Sequence, residues 1–113
     1  MRLAASGIAA LFGVGAAVAA EKPVRFWNLT SETVTSLRLA PAGTSEFGAD
    51  LTKADPDGAV DHDERLAIKN LPPGTYDASI GFKSGRACMV KGVKIEAASV
   101  FSIEEKELSA CSK

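Results

Sequence analysis

From residue 24 onward the chain runs in short stretches where apolar and polar positions alternate, broken by turn residues. A period of two marks strands with one face buried, and many short strands in succession predict an all-β sandwich or barrel. Val24 to Leu29 is the first, with Val24 and Phe26 on one face and Trp27 and Leu29 on the other. Thr30-Ser31-Glu32 is polar enough to turn, and Val34 to Leu39 follows with Leu37 and Leu39 sharing a face. Pro41-Ala42-Gly43 ends it. Residues 44–58 are less regular, a long connection with room for a short edge strand or a helical turn. Phe47 and Leu51 are its only large apolar anchors.

Arg65 to Lys69 reads as a strand with Leu66 and Ile68 inward. Leu71-Pro72-Pro73-Gly74 predicts a type II turn, Pro73 presetting φ at the first central position and Gly74 taking positive φ at the second. In the next strand Tyr76, Ala78, Ile80 and Phe82 face the core, and Asp77, Ser79, Gly81 and Lys83 face out. A two-residue Ser84-Gly85 loop would turn Cys88 and Val90 outward. A three-residue loop, Lys83-Ser84-Gly85, sets Ile80 opposite Cys88 and Ala78 opposite Val90, keeping both apolar sets inside, and is preferred. It also sets Asp77 against Lys91 on the outer face. After Lys91 the inward parity moves to Val93 and Ile95, so a bulge is expected at Gly92. Val100, Phe101 and Ile103 form a last strand, and a charged tail, Glu104 to Glu107, follows it.

The first residues change the picture from fold to compartment. Arg2 is the only charge before Glu21, Leu3 to Ala16 is apolar, and small residues precede Ala19 and Ala20. This predicts a secretory signal peptide over residues 1–20, cleaved after Ala19 or Ala20, and a domain over residues 21–113. Arg2 has no arginine neighbour and no cysteine stands at the cleavage point, so twin-arginine and lipid-anchored export are set aside. The expected product is secreted or periplasmic, with no membrane attachment after cleavage.

Charge narrows the partners. When Arg2 leaves with the signal, 13 basic residues fall to 12 against 14 acidic ones, and Lys and Arg are scattered singly. A nucleic acid or an anionic lipid surface needs a concentrated positive face, so neither is expected as a partner. Cys88 and Cys111 are the only cysteines. In an oxidising compartment they predict a disulfide closing a loop of about 24 residues, which constrains the unfolded chain by roughly 3–4 kcal/mol.

The sharpest candidate for chemistry is the acidic segment 55–64. In a twelve-position calcium loop Gly58 would take the sixth place, with Asp55, Asp57, Asp61 and Glu64 at ligand positions around it. Lys53 falls on the first position, where a carboxylate is needed, and the flanks do not read as helices. A solvated turn is the competing reading. His62 is the only histidine. It has carboxylate neighbours but no nucleophile motif and no second histidine for zinc, and it is expected as an exposed loop residue. Trp27 and Phe47 are candidate contact residues for a ligand, although a tryptophan in so small a sandwich is expected as core filling or a lid over one end. Asn28-Leu29-Thr30 matches a glycosylation sequon, relevant in a eukaryotic host.

Leu71-Pro72-Pro73-Gly74-Thr75-Tyr76 resembles the tyrosine-corner turn of Greek-key sandwiches such as fibronectin type III domains. The same run is similar to prealbumin-like and carboxypeptidase-regulatory-like modules. Residues 24–95 resemble small exported bacterial proteins of uncharacterised role, through Asn28-Leu29-Thr30, Leu37 to Pro41, Phe47-Gly48, Leu71 to Tyr76 and Ser84-Gly85. The resemblance implies a single antiparallel Greek-key β-sandwich of six or seven strands, and no activity. The functional expectation is a non-enzymatic binding or accessory module for a protein or small-molecule partner, without catalytic residues or cofactor. A calcium-binding module is the alternative, and an enzyme the third reading.

Overall fold

The computed structural model describes residues 22–113. The signal peptide expected over residues 1–20, with its cleavage points at Ala19 and Ala20, lies outside the described residues. Seven strands follow one another: β1 Val24–Leu29, β2 Val34–Pro41, β3 Arg65–Ile68, β4 Gly74–Phe82, β5 Ala87–Ile95, β6 Val100–Glu104 and β7 Ser109–Ser112. They form two sheets, ordered β3-β1-β6 and β2-β4-β5-β7. Each sheet turns one apolar face inward. Phe26, Leu66, Ile68, Phe101 and Ile103 from the first meet Leu37, Ile80, Phe82, Val90 and Ile95 from the second in one buried cluster. Phe26 and Phe101, paired across β1 and β6, stack with ring centroids 5.6 Å apart.

One pairing departs from the expected antiparallel arrangement: β1 and β6 run parallel. β6 does not leave β5 by a hairpin. The chain crosses between the sheets after Ile95, and only a tight hairpin forces neighbouring strands to oppose. β7 is also unforeseen. All four of its residues are exposed, so it has no alternation to read, and its place beside β5 is fixed by backbone pairing and the Cys88–Cys111 disulfide.

The β4–β5 hairpin has the three-residue loop. Phe82 and Arg86 close it, with Ile80 opposite Cys88 and Ala78 opposite Val90. Gly85 sits at φ 96°, a conformation that a side chain resists. The expected bulge falls at Gly92, at φ 68°, where Lys91 and Gly92 together oppose Asp77.

Asp77 keeps its outward parity opposite Lys91, but it is buried there, and its carboxylate oxygens accept the Gly92 and Gly43 amides, each at 3.1 Å. Lys91 stands farther off, at 3.9 Å. The Gly43 and Gly92 amides hold the Asp77 carboxyl below the usual carboxylate range, and Lys91 adds to this.

The 71–74 turn also differs. Gly74 is the first residue of β4, paired with Ile95, while the left-handed position is Asn70 at φ 61°. Asparagine tolerates that region, so the chain reverses at Asn70, ahead of Pro72 and Pro73. Tyr76 donates its hydroxyl to the Pro72 carbonyl at 2.6 Å, a bond of the tyrosine-corner kind.

The long connection holds a 3-10 turn, Leu51–Ala54, that covers the outer edge of β2. Its anchors are polar as well as apolar. Asp50 accepts the Leu37 amide at 3.0 Å and the Thr52 hydroxyl at 2.8 Å, and buried Thr52 donates to the Thr35 carbonyl. Val60 bridges to Val34, so an otherwise open edge is masked. Burial pushes the Asp50 carboxyl up, but the Leu37 and Thr52 donors together bring it below its ordinary value.

Candidate functional site

The acidic segment is divided by its own fold. Val60 is buried and exchanges both backbone bonds with Val34, at 2.8 and 2.9 Å. Asp55 and Asp57 lie before that bridge, and Asp61 and Glu64 after it. Asp55 accepts the Asp57 amide at 2.8 Å, and Glu64 accepts the Asp61 amide at 2.7 Å. Asp61 accepts the Thr33 hydroxyl at 2.9 Å. Each of these three carboxylates thus takes a local donor. Among the described residues no three acidic, histidine or cysteine side chains converge as a cation would require. His62 is exposed, and its Nδ1 donates to the Thr30 carbonyl at 2.7 Å.

This segment packs at one end of the sandwich, where most polar side chains are already engaged. Buried Asn28 donates to the Glu32 and Val60 carbonyls at 2.9 and 2.8 Å, and its Oδ1 accepts the Thr30 amide and hydroxyl. Arg86 lies between Glu32 and Glu105, at 2.8 and 2.9 Å, with its guanidinium 4.6 Å from the centre of the Phe82 ring. Glu105 also accepts the Ser31 amide and hydroxyl, each at 3.0 Å. The Ser31 amide is the main reason its carboxyl sits below the usual range, and Arg86 reinforces it.

The other end is different. A cleft of about 590 Å³ opens between the start of β1, the β3–β4 connection and the β5–β6 turn. Pro23, Ile68, Leu71, Pro72, Pro73 and Ala97 supply apolar walls, and Lys22, Lys69 and Asn70 supply polar groups. Among the described residues the lining holds two cations and no carboxylate, imidazole or thiol.

The outward face of the β3-β1-β6 sheet continues from the cleft. Strand register lays out three rows on it: Ala67, Arg25 and Val100 across one, Arg65, Trp27 and Ser102 across the next, and Leu29 beside Glu104 at the last. Trp27 is neither core filling nor a lid over one end. It is half-buried on this open face, because Phe26 and Asn28 take the inward positions of β1. Its indole N–H donates to the Asp63 carboxylate at 2.9 Å, and the Arg65 guanidinium stands 4.1 Å from the ring centre. Asp63 itself is at φ 72°, a left-handed conformation in a loop otherwise tied to β1 by the Asp63 amide on the Asn28 carbonyl. Phe47, the other aromatic candidate, is half-exposed on the connection after β2, away from these rows.

The cationic and aromatic face was partly visible in the sequence. Alternation alone puts Arg25, Trp27 and Leu29 on one side of β1, and inward Leu66 and Ile68 turn Arg65 and Ala67 outward. What joins them is the pairing of Trp27 with Arg65, a contact between segments 38 residues apart. The buried polar residues Asn28, Thr30, Thr52 and Asp77 had no such signal.

Compared with known proteins, the chain matches no family model, no curated protein and no solved structure. Among the described residues no helix is long and apolar enough to cross a membrane.

Proposed function

We propose that this chain is an exported, non-enzymatic binding module that takes its ligand at the cleft end of the sandwich and on the sheet face beside it. The observation that carries the reading is the cleft itself, whose apolar walls and two lysines, Lys22 and Lys69, open at one end of the sandwich. Such a lining can hold and orient a ligand. The Cys88–Cys111 disulfide supports maturation in an oxidising compartment, secreted or periplasmic. The Leu71 to Tyr76 turn and the chain crossings between sheets support a Greek-key sandwich of the fibronectin type III or prealbumin kind.

Amide chemical-shift mapping tests the reading, with fractions from the native compartment titrated into the oxidised, exported protein. Shifts gathered on residues 22–27, 65–73 and 97–102 are expected. Shifts confined to residues 30–33 and 55–64, or none, would contradict it. N-terminal sequencing of the same sample is expected to start at Ala20 or Glu21.

A further inference from the structure

We infer that the outer edge of β6 pairs with the β6 of a second copy, antiparallel about Ser102, and joins two β3-β1-β6 sheets into one. A parallel ladder uses the main-chain groups of alternate residues. The Arg25 amide donates to the Ser99 carbonyl at 2.9 Å, so Ser99, Phe101 and Ile103 turn their groups toward β1. Val100 and Ser102 turn theirs away, and among the described residues no main-chain partner meets them. The Glu104 amide donates to the Glu107 carboxylate at 2.8 Å, which ends the run of free donors.

The other edges are guarded. Val60 and the 3-10 turn mask β2, and the same turn lies against β3. β7 covers Ala87 to Met89 of β5, and beyond that cover come exposed Lys91 and Lys94 and the bulge at Gly92. Lysines, prolines and bulges are what keep an edge strand from pairing. Val100 to Ile103 carries none of them. Val100 is 48% exposed, the one large apolar side chain so exposed among the described residues.

A second copy suits this edge because the edge is complementary to itself. With the chains opposed about Ser102, the two Ser102 residues exchange main-chain bonds and Val100 faces the partner's Glu104. Arg25 stands beside Val100 on the outward face. It then lies two strand spacings, about 10 Å, from the partner's Glu104, a span that the two long side chains close over Val100. Arg25 has no ion pair among the described residues, and Glu104 pairs only with exposed Lys106, at 3.6 Å. Two-fold symmetry makes the contact twice.

Sedimentation equilibrium of the oxidised protein tests this with no ligand present, so its outcome is independent of the cleft reading. The mass is expected to rise from one chain toward two with concentration, and amide exchange at Val100 and Ser102 to slow in step. Val100→Lys and Arg25→Glu are each expected to weaken association about tenfold, and adding Glu104→Arg to Arg25→Glu to restore it. Arg25 and Val100 are exposed, and unchanged amide spectra of the dilute variants would show that the fold is intact. A single-chain mass at about 1 mM, undiminished association in Val100→Lys, no recovery in the double variant, or protection on β3 or β5 instead of β6 would overturn the inference. Protection of β6 that appears only when fractions from the native compartment are added would assign the edge to another protein's strand and overturn it as well.

Discussion

The two ends of this sandwich use charge in opposite ways. At the end built from the β1–β2, β4–β5 and β6–β7 connections, carboxylates and a guanidinium are spent on one another and on backbone amides. At the end built from residues 22–23, 69–73 and 97–98, Lys22 and Lys69 line the cleft without an ion-pair partner among the described residues. The first arrangement closes a fold, and the second leaves charge free for something outside it. The acidic segment 55–64, the more conspicuous cluster in the sequence, belongs to the closed end, and the less conspicuous Arg25, Trp27 and Arg65 lead to the open one.

If that contrast is right, damage at the closed end costs stability and damage at the open end does not. The largest effect is expected from the disulfide, which joins β7 to β5 next to the closed end. Replacing Cys111 with serine frees a loop of about 24 residues and is expected to lower stability by about 3.5 kcal/mol in urea melts. A loss under about 1 kcal/mol would show that β7 holds without its tether.

Asn28→Ala comes next, at about 3 kcal/mol, because it strands the buried Thr30 amide and strips a second donor from the Val60 and Glu32 carbonyls. This residue marks where sequence reading stops. Alternation placed Asn28 inward with Phe26, yet an inward asparagine becomes intelligible only when the segments that supply its partners are known to arrive beside it. The hairpin register was legible because its constraint is local: only one loop length keeps Ile80, Cys88, Ala78 and Val90 inside together. The outward place of Asp77 was legible in its alternation but its burial was not, because the bulge at Gly92 and the turn at Gly43, far apart in sequence, each bring one amide to its carboxylate. The parallel β1–β6 pair and the Trp27–Arg65 contact are long-range facts that no window of the sequence contains.

Arg86→Gln is expected to cost about 1 kcal/mol, since both of its carboxylate partners are partly exposed and water screens the pairs. The difference carries a pH signature. Glu105 is held below its ordinary value by Ser31 and Arg86, so its contribution is present above about pH 4 and is lost as pH falls through the lower folded value. Melts of the two proteins are therefore expected to converge on acidification, and a gap that widens in acid would contradict the assignment.

At the open end the expected effects are smallest. Arg25→Gln and Lys69→Gln should each change stability by less than about 0.5 kcal/mol, as surface changes outside any network do. A loss near that of Asn28→Ala would mean that these cations serve the fold.

The most direct test of the contrast is quenching of Trp27 fluorescence by iodide and by caesium at equal ionic strength. Trp27 has the Arg65 guanidinium over its ring and Arg25 one same-face step along β1, against the Asp63 carboxylate on its indole N–H, so anions are expected to gather around it more than cations. With each Stern–Volmer constant divided by that of N-acetyltryptophanamide under the same conditions, the value for iodide is expected to exceed that for caesium, and the two to approach parity in Arg25→Gln and Arg65→Gln proteins. Equal quenching in the unaltered protein, or stronger quenching by caesium, would show that this face is not the open cationic surface described.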